Sequence, residues 1–90
     1  MEKNKQELLD LILLAEDRVF LDKLLQDLLT PKEYEEIIKR WQIIRQLHLG
    51  ISQREISKNL NVSITTVTRG SRVWSNRKSI LHQIIKKNKF

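Results

Sequence analysis

The side chains of this 90-residue chain that could do chemistry crowd into one stretch, "NVSITTVTRGS" at residues 61–71. There Ser63, Thr65, Thr66 and Thr68 surround a single arginine and glycine. A small hydroxyl can bond a phosphate, a base edge or a bridging water without holding a helix away from a duplex. Just upstream, "SQREISK" at residues 52–58 adds Gln53, Arg54, Ser57 and Lys58, and Arg72 follows downstream. The Arg54 guanidinium suits a guanine edge, with Lys58 and Arg72 suited to phosphates. The other reading of Arg54 is an exposed side chain with no fixed partner. Thr66 and Thr68 read either as DNA contacts or as caps and fillers, and Arg40 and Arg69, taken alone, read as further phosphate contacts.

No enzyme chemistry is expected. The chain has two histidines, no cysteine and ten of its eleven acidic residues in positions 1–36, so no nucleophile and base come together by spacing. His48 and His82 lack metal-ligand spacing, and without cysteine there is neither a disulfide framework nor a thiolate metal site. Charge says more. Residues 1–36 sum to −5 and residues 37–90 to +11, within a total of +6. Segregation of this kind marks an anion-binding half, and nucleic acid is the expected partner. No aromatic platform accompanies the basic groups, which disfavours RNA. A module that binds an acidic protein is the competing class, and it would bind no duplex at low salt.

These residues need elements to hold them, and the signals are all helical. Leu8, Leu9, Leu11, Ile12, Leu13, Leu14 and Ala15 cover nearly the whole circumference of a first helix, which must therefore be surrounded. Phe20, Leu21, Leu24, Leu25, Leu28 and Leu29 follow at amphipathic spacing. The two together, residues 1–29, are expected to form a dimerisation element. Thr30-Pro31-Lys32-Glu33 is a capping box with proline at the first helical position, opening a central helix over residues 31–49. Tyr34, Ile37, Ile38, Trp41, Ile44, Leu47 and His48 mark its expected buried face, and Gly50 its left-handed stop. Ser52-Gln53-Arg54-Glu55 is a second capping box. A short helix to about Asn59, a positive-φ turn at Asn61 and a cap at Ser63 make residues 52–73 a helix-turn-helix, in which Ser57 is small enough for the two helices to cross closely. A last helix is expected over residues 76–88, and the tail from Arg77 to Phe90 keeps Ile80, Leu81, Ile84 and Ile85 on one side of it. Trp41 and Trp74 read as structural, with the pocket or DNA as the alternative for Trp74. One domain over residues 1–90 is expected, all-α, with about six helices. Its longest apolar run, Leu11 to Ala15, is far too short to span a membrane, and a soluble cytoplasmic protein with no membrane partner is the expectation.

Residues 28–71, "LLTPKEYEEIIKRWQIIRQLHLGISQREISKNLNVSITTVTRGS", resemble the tryptophan repressor family of bacteria. The likeness rests on the leucine-threonine-proline opening, an arginine within the long helix, Ser-Gln-Arg-Glu, and the Thr-Arg-Gly-Ser that closes the second helix of the pair. The resemblance implies an intertwined helical homodimer that binds a palindromic double-stranded DNA operator and represses genes of tryptophan biosynthesis or uptake. Trp repressor is itself a standard instance of the helix-turn-helix, so the docking geometry is the family's own, with reading helices one DNA turn, about 34 Å, apart. L-tryptophan is the implied corepressor, and no metal is implied. Its indole would lie between Arg40 and Arg69, with Gly70 leaving room for the ring edge. Carbonyls at Asp27 and Leu29 would meet its ammonium, with Thr30 close to the carboxylate. A guanidinium stacks well on an indole face, which makes the arginine pair physically apt. Val73 stands where the family often has a serine hydroxyl near the ammonium. From the helix-turn-helix reading, the expected DNA-facing set is Gln53, Arg54, Ser57, Lys58, Ser63, Ile64, Thr65, Thr66, Thr68 and Arg72. A DNA-binding regulator of the same fold that needs no ligand is the alternative.

Overall fold

The computed structural model describes residues 1–88, and these form six α-helices and no strand: α1 (Glu2–Leu13), α2 (Arg18–Leu28), α3 (Pro31–His48), α4 (Gln53–Leu60), α5 (Ile64–Ser75) and α6 (Ile80–Lys87). The end of the tail expected to reach Phe90 lies outside the described residues. No described helix is long and apolar enough to cross a membrane. The chain divides into two compact units, one over Met1–Glu35 and one from Glu36 onward.

In the first unit neither α1 nor α2 buries a single residue. Of the apolar residues expected on one helix, Leu8 to Leu13 lie in α1, while Leu14 is its C-cap and Ala15 lies beyond it; Leu13 and Leu14 are 79% and 66% exposed. Asp17 caps α2, its carboxylate accepting from the Phe20 N–H at 2.8 Å. The box at Thr30 is reciprocal: the Thr30 N–H donates to Glu33 Oε1 at 2.9 Å, and the Glu33 N–H donates to Thr30 Oγ1 at 3.1 Å. The Thr30 backbone and side-chain bonds hold the Glu33 carboxyl below its ordinary range. The Tyr34 hydroxyl donates to Asp22 Oδ1 at 2.9 Å, while Gln26 Nε2 donates to Asp22 Oδ2 at 3.0 Å.

The second unit has a small core of Ile43, Ile56 and Val67, on which Leu47, Ile51, Leu60 and Val62 pack. Ile44 and Ile85 are buried as well. The buried face expected of α3 needs correction here. Ile37 and Ile38 are exposed, and Ile43, absent from the expected set, is the most buried residue of α3. Helical spacing alone marks several candidate apolar stripes on α3, and the partner against which it packs selects among them. Gly50, at φ +82°, ends α3 as expected. The Gly50 N–H bonds the Leu47 carbonyl and the Ile51 N–H that of Gln46. That pair of bonds is a Schellman stop, and it drops Ile51 onto the core. Asn61, at φ 53°, repeats the device at the end of α4, with Val62 N–H bonding the Ser57 carbonyl. Ser52, Ser63 and Ser79 cap α4, α5 and α6, each accepting a backbone N–H three residues on.

Candidate nucleic-acid interface

Helices α4 and α5, joined by residues 61–63, pack on each other as a two-helix unit with Ile56 and Val67 fully buried between them and α3. Two polar contacts tie this unit together. Ser57, half-buried, donates its hydroxyl to the Val62 carbonyl across the turn. Thr68 Oγ1 lies 2.9 Å from the Ile64 carbonyl and 3.1 Å from Gln53 Oε1, linking α5 back to the first turn of α4. A hydroxyl has one proton, so it serves one of these acceptors at a time. Asn59 Nδ2 donates to Gln46 Oε1 at 3.2 Å, which fixes α4 to α3.

These contacts engage several side chains of the expected DNA-facing set. The Ser57 side chain closes the turn. The half-buried Thr68 hydroxyl has the Ile64 carbonyl and Gln53 Oε1 within hydrogen-bond reach. Ser63 is the cap, and the Thr66 hydroxyl sits 2.8 Å from its Oγ. Arg54, Lys58, Ile64, Thr65, Arg69 and Arg72 are exposed, and Gln53 is half-buried. On α5 the residues 65, 69 and 72 lie on the side away from buried Val67, so a hydroxyl and two guanidiniums share the outward face.

Gly70 also has a packing role. A Cβ added there would stand 2.5 Å from Ile43 Cγ2 and 3.5 Å from its Cβ. The glycine thus lets α5 lie close on Ile43 of α3. Arg40, on α3, is exposed like Arg69, and Val73, on α5, is 39% exposed and carries no hydroxyl. Asp27 is exposed on α2, Leu29 is that helix's C-cap, and Thr30 caps α3.

Trp74 joins three elements. The ring of His48, on α3, meets it edge-on with centroids 5.2 Å apart, and the ring of His82, on α6, lies tilted at 4.5 Å. His82 Nδ1 is 2.6 Å from the Trp74 carbonyl. A carbonyl only accepts, so the imidazole carries its proton on that nitrogen. Ser79 Oγ adds a bond to the Val73 carbonyl at 3.1 Å, so the end of α5 and the start of α6 are clamped from both sides. Sequence spacing marked His48 as the edge of a face, but its ring partner Trp74 lies 26 residues on, beyond the reach of any local signal.

A buried two-helix unit with a left-handed turn, a serine-capped second helix and a basic outward face defines an all-helical helix-turn-helix protein. The chain belongs to the Trp repressor protein family, whose profile matches residues 3–89. It is 43% identical over 67 residues to a Trp operon repressor homolog of Vibrio vulnificus (strain YJ016), covering 73% of this chain and 66% of that protein. With the homolog of Vibrio cholerae serotype O1 it shares 41% over 73 residues, covering 80% and 71%. With that of Mannheimia succiniciproducens it shares 55% over 49 residues, covering 53% and 48%. The chain thus spans about two thirds of the length of the Vibrio relatives. No solved structure gives a significant match.

Proposed function

We propose that this protein is a transcriptional repressor that binds a palindromic DNA operator as a homodimer and is activated by L-tryptophan, acting on genes of tryptophan biosynthesis or uptake. The observation that carries this reading is the helix-turn-helix with exposed Arg54, Lys58, Arg69 and Arg72, in a chain matched by the family over residues 3–89. The basic groups supply the sequence-independent attraction to phosphates, and the tip of α5 enters the major groove. Homodimerisation is supported by the uncovered apolar side chains of α1 and α2, since a helix apolar on every side is stable only when surrounded. Arg40 and Arg69 would hold the indole by stacking, with one guanidinium also taking the carboxylate. Coupling of the size usual for such switches, about 1 to 3 kcal/mol, tightens operator binding roughly 5 to 150-fold.

Titration calorimetry with L-tryptophan, repeated on Arg69→Ala, is the test. Saturable binding at one site per protomer, lost in the variant, supports the corepressor reading. Absence of saturable heat removes it. A second reading, a regulator of the same fold that needs no ligand, is favoured by a specific observation: Ile43 accounts for Gly70 without any ligand. In that case Arg40 and Arg69 grip phosphates, and operator affinity depends on salt but not on tryptophan.

A further inference from the structure

The hydroxyls of the helix-turn-helix divide into two kinds. Ser57 closes the turn on Val62, Ser63 and Thr66 pair at the cap of α5, and Thr68 is held between Ile64 and Gln53. Thr65 is the exception: of the five hydroxyls over residues 57–68, its own makes no bond among the described residues. The side chain is exposed, at the second position of α5, and points away from buried Val67. Ile64, the first residue of α5, is 51% exposed beside it. The leading tip of the helix therefore presents a bulky apolar side chain, a threonine methyl and one uncommitted hydroxyl.

Among the bases seen from the major groove, only thymine carries a methyl group, and its O4 acceptor lies next to it. We infer that Thr65 is the residue of α5 that specifies base identity, and that it reads a thymine. Its hydroxyl donates to O4, while its methyl and the Ile64 side chain pack on the C5 methyl. Ser63, Thr66 and Thr68 set the position and angle of the helix and carry no sequence information. This inference rests on the DNA-binding reading above.

The test is selection of binding sites from a random duplex library by the full chain in saturating L-tryptophan, followed by affinity measurements on the selected duplex. Wild type, Thr65→Val, Thr65→Ser and Thr66→Ala are compared. Thr65 has no partner to lose, so the melting temperatures of the two Thr65 variants should match wild type. Thr65→Val keeps the branched shape and drops the hydroxyl, and discrimination should fall roughly tenfold at one base pair per half-site. Thr65→Ser drops the methyl, so replacing the thymine by deoxyuridine should weaken this variant less than it weakens wild type. Thr66→Ala should select the wild-type site. If wild type selects no site, the DNA-binding reading itself fails and the inference falls with it. Should wild type select a site that both Thr65 variants select with unchanged discrimination, DNA binding stands and the assignment of Thr65 is overturned. Equal weakening of Thr65→Val on every duplex overturns it too, because that is the signature of a phosphate contact.

Discussion

A single missing methyl decides how closely α5 lies on α3. Gly70→Ala would gain about 1 kcal/mol of helix propensity, yet the new Cβ would stand 2.5 Å from Ile43 Cγ2. Overpacking of a stiff β-branched neighbour costs about 1 to 3 kcal/mol, so we expect a net loss and a melting temperature several degrees lower. In the Ile43→Ala background the clash is gone, and the same substitution should be neutral or stabilising, a coupling that thermal melts of the four proteins would measure. Unchanged stability of Gly70→Ala alone would mean that the two helices have room to spare. A second residue-scale effect sits at Asp22. Its bonds from Gln26 and then Tyr34 hold the carboxyl below its ordinary range, and Asp22 in turn pushes the Tyr34 hydroxyl up. A depressed carboxylate contributes stability above about pH 4 that is lost as pH falls through its folded value. A raised phenol contributes below about pH 10 and loses its contribution as pH rises through its folded value. Asp22 is exposed and Tyr34 only half-buried, so the cleaner readout is titration: Tyr34→Phe should move the Asp22 carboxyl midpoint upward by NMR, and an unmoved midpoint would show that the phenol is not its partner.

At the scale of elements, serine caps determine where helices begin, and each cap acts through a different consequence. Ser63→Ala removes the acceptor for the Thr66 N–H and leaves the Thr66 hydroxyl without its neighbour. The expected cost is about 1 kcal/mol, with faster amide exchange at Thr66. Ser79→Ala should act further away. The hydroxyl both caps α6 and donates to the Val73 carbonyl, next to the tryptophan that His48 and His82 flank. We expect α6 to fray and Trp74 emission to shift as its contact with His82 loosens. Emission identical to wild type would mean that the His82 to Trp74 bond alone holds the joint. Much of this was legible in sequence, since Thr30, Ser52, Gly50, Asn61 and Ser63 act within one helical turn of their own positions. The apolar face of α3 was only half legible, because Ile43 owes its burial to Ile56 and Val67, well down the chain.

At the scale of the whole molecule, the chain combines an uncovered apolar first unit with a basic second one. If a second copy covers α1 and α2, sedimentation should give a dimer, and Leu13→Asp with Leu14→Asp should reduce it to monomer with a loss of helical signal. A wild-type monomer at micromolar concentration would remove the dimer. Operator affinity should fall linearly in a plot of its logarithm against that of salt concentration, and Arg72→Ala should lower the slope by about one, as loss of one phosphate contact requires.

By itself the sequence determined the all-helical class, the caps at Thr30, Ser52 and Ser63, the stops at Gly50 and Asn61, the helix-turn-helix and the charge split, because each of these depends on residues within a turn of one another or on composition. It also carried the family, through "LLTPKEY", "SQRE" and "TRGS". What only the tertiary structure decided is which side chains remain available. Whether a hydroxyl is engaged depends on a partner 3 to 15 residues away in another turn or helix, as for Thr68 and Gln53. How closely Gly70 lies on Ile43 of α3 depends on the packing of two helices 27 residues apart in sequence, which no local pattern of residues encodes.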